Sequence, residues 1–259
     1  MIELDTLRKQ FGATVAVDNL TLHVARGELL VLLGDSGCGK TTTLKMINRL
    51  IEPTSGCVRI DGVDAAEFAP HELRRHIGYC FQQVGLFPHF TIDENIAVTP
   101  TLAGWERERI ATRVTELLEL VELDPAEFGR RYPGELSGGQ RQRIGVARAL
   151  AAEPSVMLLD EPFGALDPLT RDRLQQSFQA IRRKLGLTAI FVTHDMVEAL
   201  LLGDRIAVMR KGQLSQIGTP HELLHDPADA YVAELMDTPS RQADALAALR
   251  RGETAGESA

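Results

Sequence analysis

The chain has 259 residues, enough for one large domain or two modest ones with a well-buried core. Its 44% hydrophobic and 25% charged residues are the balance of a globular protein, and a formal charge of −8 argues against a surface built for nucleic-acid backbones. No apolar run approaches the roughly 18 residues that span a bilayer, and the charged start, MIELDTLRKQ, has no secretory core. Cys38, Cys57 and Cys80 form no close metal-binding pair and read as reduced cytosolic thiols.

In chain order, the first strong element is ELLVLLG (28–34), too continuously apolar for a half-exposed strand and so a strand of a covered parallel sheet. It runs into a glycine-rich loop and a helix, KTTTLKMINRLI. VRIDGVD (58–64) carries an Asp61-Gly62 hairpin signal, which places a small antiparallel sheet beside the parallel one. In WERERIATRVTELLELVEL, Ile110, Val114, Leu117, Leu118 and Val121 recur at helical spacing. A further helix is expected over RQRIGVARALAAE. SVMLLDE (155–161), TAIFVTH (188–194) and DRIAVM (204–209) repeat the buried-strand pattern, and residues 169–186 form a helix that stops on Gly186. RRGETAGESA (250–259) is small, polar and terminal, the composition of a disordered tail.

Chemistry concentrates at three of these boundaries. GDSGCGKT, Gly34 to Thr41, matches the phosphate-binding pattern G-x-x-x-x-G-K-[ST], and it lies between a strand and a helix as that pattern requires. Gly34, Gly37 and Gly39 let backbone N–H groups turn toward phosphate oxygens, and the helix adds its positive N-terminal end. Lys40 then reaches the β- and γ-phosphates, and the Thr41 hydroxyl ligates Mg²⁺. The strand ending at Leu159 delivers Asp160 and Glu161 to a sheet edge of the kind where ligands bind. Asp160 suits Mg²⁺, through water, and Glu161 suits orientation and deprotonation of the attacking water. LSGGQ (136–140) is a second anion site: the Ser137 hydroxyl and the Gly138 and Gly139 amides stand at a helix start.

With these motifs in place, residues 2–237 resemble the ATP-binding subunits of ABC transporters. The resemblance implies an α/β fold: a P-loop NTPase with a central, mostly parallel sheet and RecA-like core, an N-terminal antiparallel β subdomain, and a helical subdomain inserted at about 88–150. It leaves 238–259 as a C-terminal tail. It implies ATP and Mg²⁺ as ligands, held by Gly34, Asp35, Ser36, Gly37, Cys38, Gly39, Lys40, Thr41, Thr42, Ser137, Gly138, Gly139 and Gln140, with Phe11 stacking on adenine. Thr41, Gln82 and Asp160 would serve the metal; Glu161, His194, Lys40 and Gln82 would serve catalysis. Gln82 is chosen over Gln83 because it directly follows Phe81. Asp35 departs from the family's usual proline or serine, and a modest loss of ATP affinity at most is expected.

The resemblance also implies a homodimer that sandwiches two ATP molecules, with Ser137 of each copy completing the other's site and GALD (164–167) crossing between them. Integral membrane permease subunits would dock on residues 79–100, with a solute-binding protein as an indirect partner and no nucleic acid. That places the chain in the cytoplasm, peripheral on the inner face of the membrane. Three long stretches, including GLFPHFTIDENIAVTP, are most similar to importers of quaternary amines such as glycine betaine, choline and carnitine. An importer for another solute is the main alternative. A soluble ABC-type ATPase acting on ribosomes or DNA is a weaker one, since paired units, long coiled coils and basic stretches are missing. The 238–259 segment is too short for the paired CBS domains that some relatives append.

One further motif competes. His221-Glu222-Leu223-Leu224-His225 spells the H-E-x-x-H pattern of zinc proteases. Pro220 starts and Pro227 ends a short helix here, no third histidine follows, and the match is read as accidental.

Overall fold

The computed structural model describes residues 1–81, 84–164 and 166–250. The chain opens with two long antiparallel strands, β1 (Ile2–Phe11) and β2 (Thr14–Val24). β3 (Leu29–Leu33) then leads through the glycine-rich loop to α1 (Lys40–Ile47). β4 (Ser55–Ile60) and β5 (Val63–Asp64) make the hairpin predicted at Asp61-Gly62; φ is 51° and 80° at the two turn residues, as a type I′ turn requires. α2 (Pro70–His76) precedes β6 (Ile77–Cys80). The helical insert comprises α3 (Ile92–Leu102), α4 (Arg107–Leu120), α5 (Pro125–Phe128) and α6 (Gly138–Leu150). After it come β7 (Val156–Asp160), α7 (Pro168–Leu185), β8 (Thr188–Thr193) and α8 (Met196–Leu202). β9 (Arg205–Arg210), β10 (Gln213–Gly218), α9 (Pro220–His225) and α10 (Ala230–Arg250) complete the described chain.

The strands form a four-stranded antiparallel sheet, β2-β1-β4-β5, and a six-stranded sheet, β10-β9-β3-β8-β7-β6. Every pair in the second sheet is parallel except β10 with β9. The continuous apolar runs are explained by two cores. Leu29, Val31, Leu33, Met157, Leu159, Ala189 and Phe191 face the core shared with the helical insert, α7 and α8. Leu30, Leu32, Val156, Leu158, Ile190 and Val192 face the other, shared with α1 and the antiparallel sheet. Each of the Val, Leu, Ile, Met and Phe side chains contributes about 1.5–3 kcal/mol when fully buried, so neither face can accept a polar residue without loss.

Three boundaries differ from the sequence expectation. α1 stops at Ile47 rather than Ile51, because Arg49 takes a positive φ of 49°. α6 starts at Gly138 rather than Arg141, because Ser137 and Gln140 form a capping box that recruits both glycines into the first turn. β1 and β2 are not evident in the sequence; register shifts between Leu4 and Leu7 and again at Lys9 break the two-residue alternation. α10 continues beyond Asp237 to Arg250, and residues 251–259 of the expected tail lie outside the described residues.

Candidate functional site

β3, β8 and β7 are adjacent and parallel, so their C-terminal ends share one edge of the sheet. That edge gathers the loop after β3, Asp160 and Glu161 after β7, and His194 after β8, residues far apart in sequence. The loop is built on glycine where backbones meet. A Cβ on Gly34 would lie 2.1 Å from the Met209 carbonyl oxygen, and one on Gly39, where φ is 108°, 2.6 Å from that of Ala16. Lys40 is buried, and its ammonium donates to the loop's own carbonyls, Gly34 at 2.6 Å and Asp35 at 2.9 Å. Burial pushes the Cys38 thiol up from its ordinary value, with Lys40 pulling the other way. Ser36 is exposed and Thr42 half-buried at the start of α1.

The Thr41 hydroxyl donates to Asp160 Oδ1 at 2.8 Å. Asp160 is 3% exposed, and burial raises its carboxyl above the usual carboxylate range while Thr41's hydrogen bond opposes that shift. An oxygen-only donor set of one hydroxyl and one carboxylate fits Mg²⁺ and is poorly matched to a soft metal. Glu161 sits at a positive φ of 48°, a conformation that costs a non-glycine residue about 1–3 kcal/mol. Its N–H donates to the Val192 carbonyl at 3.0 Å, and its carbonyl accepts from Gln142 Nε2 at 2.9 Å. This turn aims the Glu161 carboxylate at His194, with Oε1 3.2 Å from Nδ1.

The other expected residues are placed separately. Ser137, Gly138 and Gly139 form the N-terminal end of α6; Ser137 Oγ accepts from the Gln140 N–H at 3.2 Å, while Gln140 Oε1 accepts from the Ser137 N–H at 2.8 Å. No hydrogen bond joins them to the Gly34–Thr42 loop among the described residues. Phe11 is half exposed at the end of β1, with the Lys9 ammonium 5.0 Å from its ring centre. Gln82 lies outside the described residues, as does Ala165 of the Gly164–Asp167 loop. Asp35 is exposed, and its carboxylate accepts from Tyr231 Oη at 3.0 Å. In the H-E-x-x-H segment, Glu222 is committed to capping α9 through the Thr219 N–H at 2.7 Å and hydroxyl at 3.0 Å. His221 and His225 stack with ring centres 4.1 Å apart, and no metal-holding group of His, Cys, Asp or Glu occurs among the described residues.

Four residues that carry this architecture escape the sequence reading. Gln142 ties α6 to the Glu161 turn; the available signal is a polar residue on the buried stripe it shares with Gly145, Val146 and Ala149. Arg148 donates to the Val84 carbonyl at 2.7 Å and the Gly85 carbonyl at 2.9 Å. Asn95, fully buried, accepts from the Phe87 N–H at 2.8 Å and donates to the Phe87, Phe90 and Thr91 carbonyls. Arg148 and Asn95 together pin residues 84–91 beside a cavity of about 280 Å³ lined by Arg74, Tyr79, Phe81, Phe87, Val98 and Arg148. Tyr231 is the fourth.

The chain as a whole is similar to known proteins. Residues 17–164 match the family described as ABC transporter. The chain is 54% identical to the glycine betaine/carnitine/choline transport ATP-binding protein OpuCA of Bacillus subtilis (strain 168), over 91% of this chain and 62% of that protein. It is 50% identical to the glycine betaine uptake system ATP-binding protein YehX of Escherichia coli (strain K12), over 90% of this chain and 76% of that one. The chain thus spans less than two thirds of the first relative's length. A solved ATP-binding cassette, a dimer in a post-hydrolysis state bound to ADP and Pi, superposes with a TM-score of 0.79 at 34% identity, covering 85% of this chain and 99% of the other.

Proposed function

The chain belongs to the ABC transporter family, and from that premise we propose that it hydrolyses ATP to power import of a quaternary-amine solute. The observation that carries the reading is the shared edge of β3, β8 and β7. It brings the Lys40 loop, the Thr41–Asp160 pair at 2.8 Å and the Glu161–His194 pair at 3.2 Å onto one rim.

In this reading the glycine-rich loop wraps the phosphates with backbone N–H groups and the start of α1. Lys40 exchanges its two carbonyl partners for phosphate oxygens. Thr41 and Asp160, with Gln82, hold Mg²⁺, which when bound neutralises phosphate charge. Glu161 orients the attacking water and takes its proton, and His194 fixes that carboxylate and balances charge near the γ-phosphate. The strained turn at Glu161 keeps the carboxylate aimed at the reacting centre rather than folded into solvent. Phe11 stacks on the adenine, its exposed face free for a ring. A second copy of the chain brings its Ser137, Gly138 and Gly139 to the same phosphates, so the working unit is a homodimer.

Among the described residues no helix is long and apolar enough to cross a membrane. As in the family at large, we place transport in separate permease subunits, with this chain peripheral on the cytoplasmic face. The cavity beside residues 84–91 is the docking place we assign to a cytoplasmic helix of such a permease, since Arg148 and Asn95 link it directly to the helical insert. The solute class follows from the transport names of the 54%- and 50%-identical relatives.

Phosphate release from MgATP by the purified chain tests the activity, and an inert protein that binds no ATP rejects it. Co-purification with permease subunits, followed by ATPase measurement across a panel of amines, sulfate and polyamines, tests the solute. Stimulation by a non-amine alone would replace the substrate class while leaving the ATPase intact.

A further inference from the structure

Asp35 poses an electrostatic problem. A carboxylate in the loop that wraps a polyanion repels it, and two like charges several ångströms apart at a protein surface weaken binding appreciably. The structure holds this side chain in place from a distant part of the chain. Tyr231, in the first turn of α10, donates its hydroxyl to Asp35 Oδ2 at 3.0 Å. The Arg210 guanidinium lies 4.5 Å from the centre of the Tyr231 ring, adding a positive charge on the same side. The tyrosine is held firmly: its neighbours Val232 and Met236 are buried in the core that includes Met196, Ala199 and Leu202 of α8. Burial first, and then the Asp35 hydrogen bond, push the Tyr231 hydroxyl up to about 12, so it remains a donor through the neutral range. The Asp35 carbonyl meanwhile accepts from Lys40 at 2.9 Å, so one residue joins the phosphate-seeking lysine to the C-terminal helix.

We propose that Tyr231 is a positioning residue for phosphate binding: its hydroxyl holds the Asp35 carboxylate on the α10 side of the loop, keeping that charge off the phosphates and the loop in the shape Lys40 needs. The inference rests on the assignment of Gly34–Thr42 as the ATP phosphate loop. A phenylalanine at position 231 would still pack against Arg210 but would release Asp35 to rotate inward. The hydrogen bond to a carboxylate is of the strong, charge-assisted kind, which suits it to holding one rotamer.

Tyr231→Phe in the full chain tests this, with equilibrium binding of a fluorescent ATP analogue and steady-state phosphate release read side by side. The expected result is a Kd and KM for MgATP raised roughly three- to ten-fold, with kcat within about two-fold of the parent and a Tm lowered by no more than about 4 °C, since the lost bond is open to solvent. Adding Asp35→Asn to Tyr231→Phe should restore parental affinity, because the neutral amide no longer repels phosphate. A merely structural tyrosine would lower kcat and Tm together and would not be rescued at position 35. Parental affinity in Tyr231→Phe, or a double variant as weak as the single one, overturns the proposal. A parent chain that does not bind the analogue overturns the phosphate-loop assignment itself and this inference with it; normal binding by the parent alongside an insensitive Tyr231→Phe defeats this inference alone.

Discussion

Replacing Glu161 with glutamine isolates the proposed base from everything else the site does. The two side chains have nearly the same volume, and the turn that presents residue 161 is held by backbone groups: its N–H on the Val192 carbonyl and its carbonyl under Gln142. The side chain's contact with His194 joins groups 22% and 62% exposed, and a polar pair so open to water contributes about 0–1 kcal/mol to stability. For a chain of this size that is a Tm change of no more than about 4 °C. Loss of a general base, by contrast, lowers the rate by about 10²–10⁴, equivalent to about 3–5 kcal/mol of barrier. Lys40 and Thr41 are untouched, so MgATP affinity should persist. Phosphate release at saturating MgATP, equilibrium nucleotide binding and a thermal melt together read all three quantities. A folded Glu161→Gln protein that binds MgATP and still turns over at more than about a tenth of the parental rate would refute the role.

Three further outcomes are expected. Gln142→Leu removes the side-chain donor to the Glu161 carbonyl at a cost of about 1–3 kcal/mol; Tm should fall and kcat should drop more than KM rises, whereas a parental kcat would show that the turn holds without it. Phe11→Ala should weaken nucleotide binding about five- to ten-fold with no change in Tm, since the ring is half exposed and stacking contributes about 1 kcal/mol; unchanged affinity in a fluorescence titration would remove it from the adenine site. Burial holds the Glu198 carboxyl above its ordinary value despite hydrogen bonds from Thr193 and Gln175. A carboxyl raised in the folded state opposes folding once ionised, so the parent loses stability as pH rises through that raised value. Glu198→Gln should therefore gain Tm over the parent at pH 8 and not at pH values where both are neutral; an equal difference at both ends would contradict the assignment.

Much of the site is legible in one dimension because its parts are local. The Gly34–Thr41 loop, the acidic end of β7 and the capped start of α6 are short stretches whose spacing reflects backbone geometry: positive φ, a strand end, a helix N-terminus. Four of the parallel strands, β3, β7, β8 and β9, are equally visible, since burial on two faces keeps them almost continuously apolar; the short β6 (Ile77–Cys80) is not. β1 and β2 are not, because their register shifts scramble the alternation that would reveal them. Gln142, Arg148 and Asn95 are missed for a related reason. Each is a polar residue inside an otherwise ordinary amphipathic helix, and its importance lies in the carbonyls it meets on another segment.

The sequence by itself determined most of the strands of the buried sheet, the glycine-rich loop that joins a strand to a helix, and that the H-E-x-x-H match lies in a proline-bounded helix. Tertiary structure alone decided that Thr41 meets Asp160, that Glu161 faces His194, and that the acid at position 35 answers to a tyrosine 196 positions later. The division has a physical cause. Propensity, periodicity and capping act over a few residues and leave their mark in the local pattern. The order of strands in a sheet and the meeting of side chains across it depend instead on how the whole chain closes its cores.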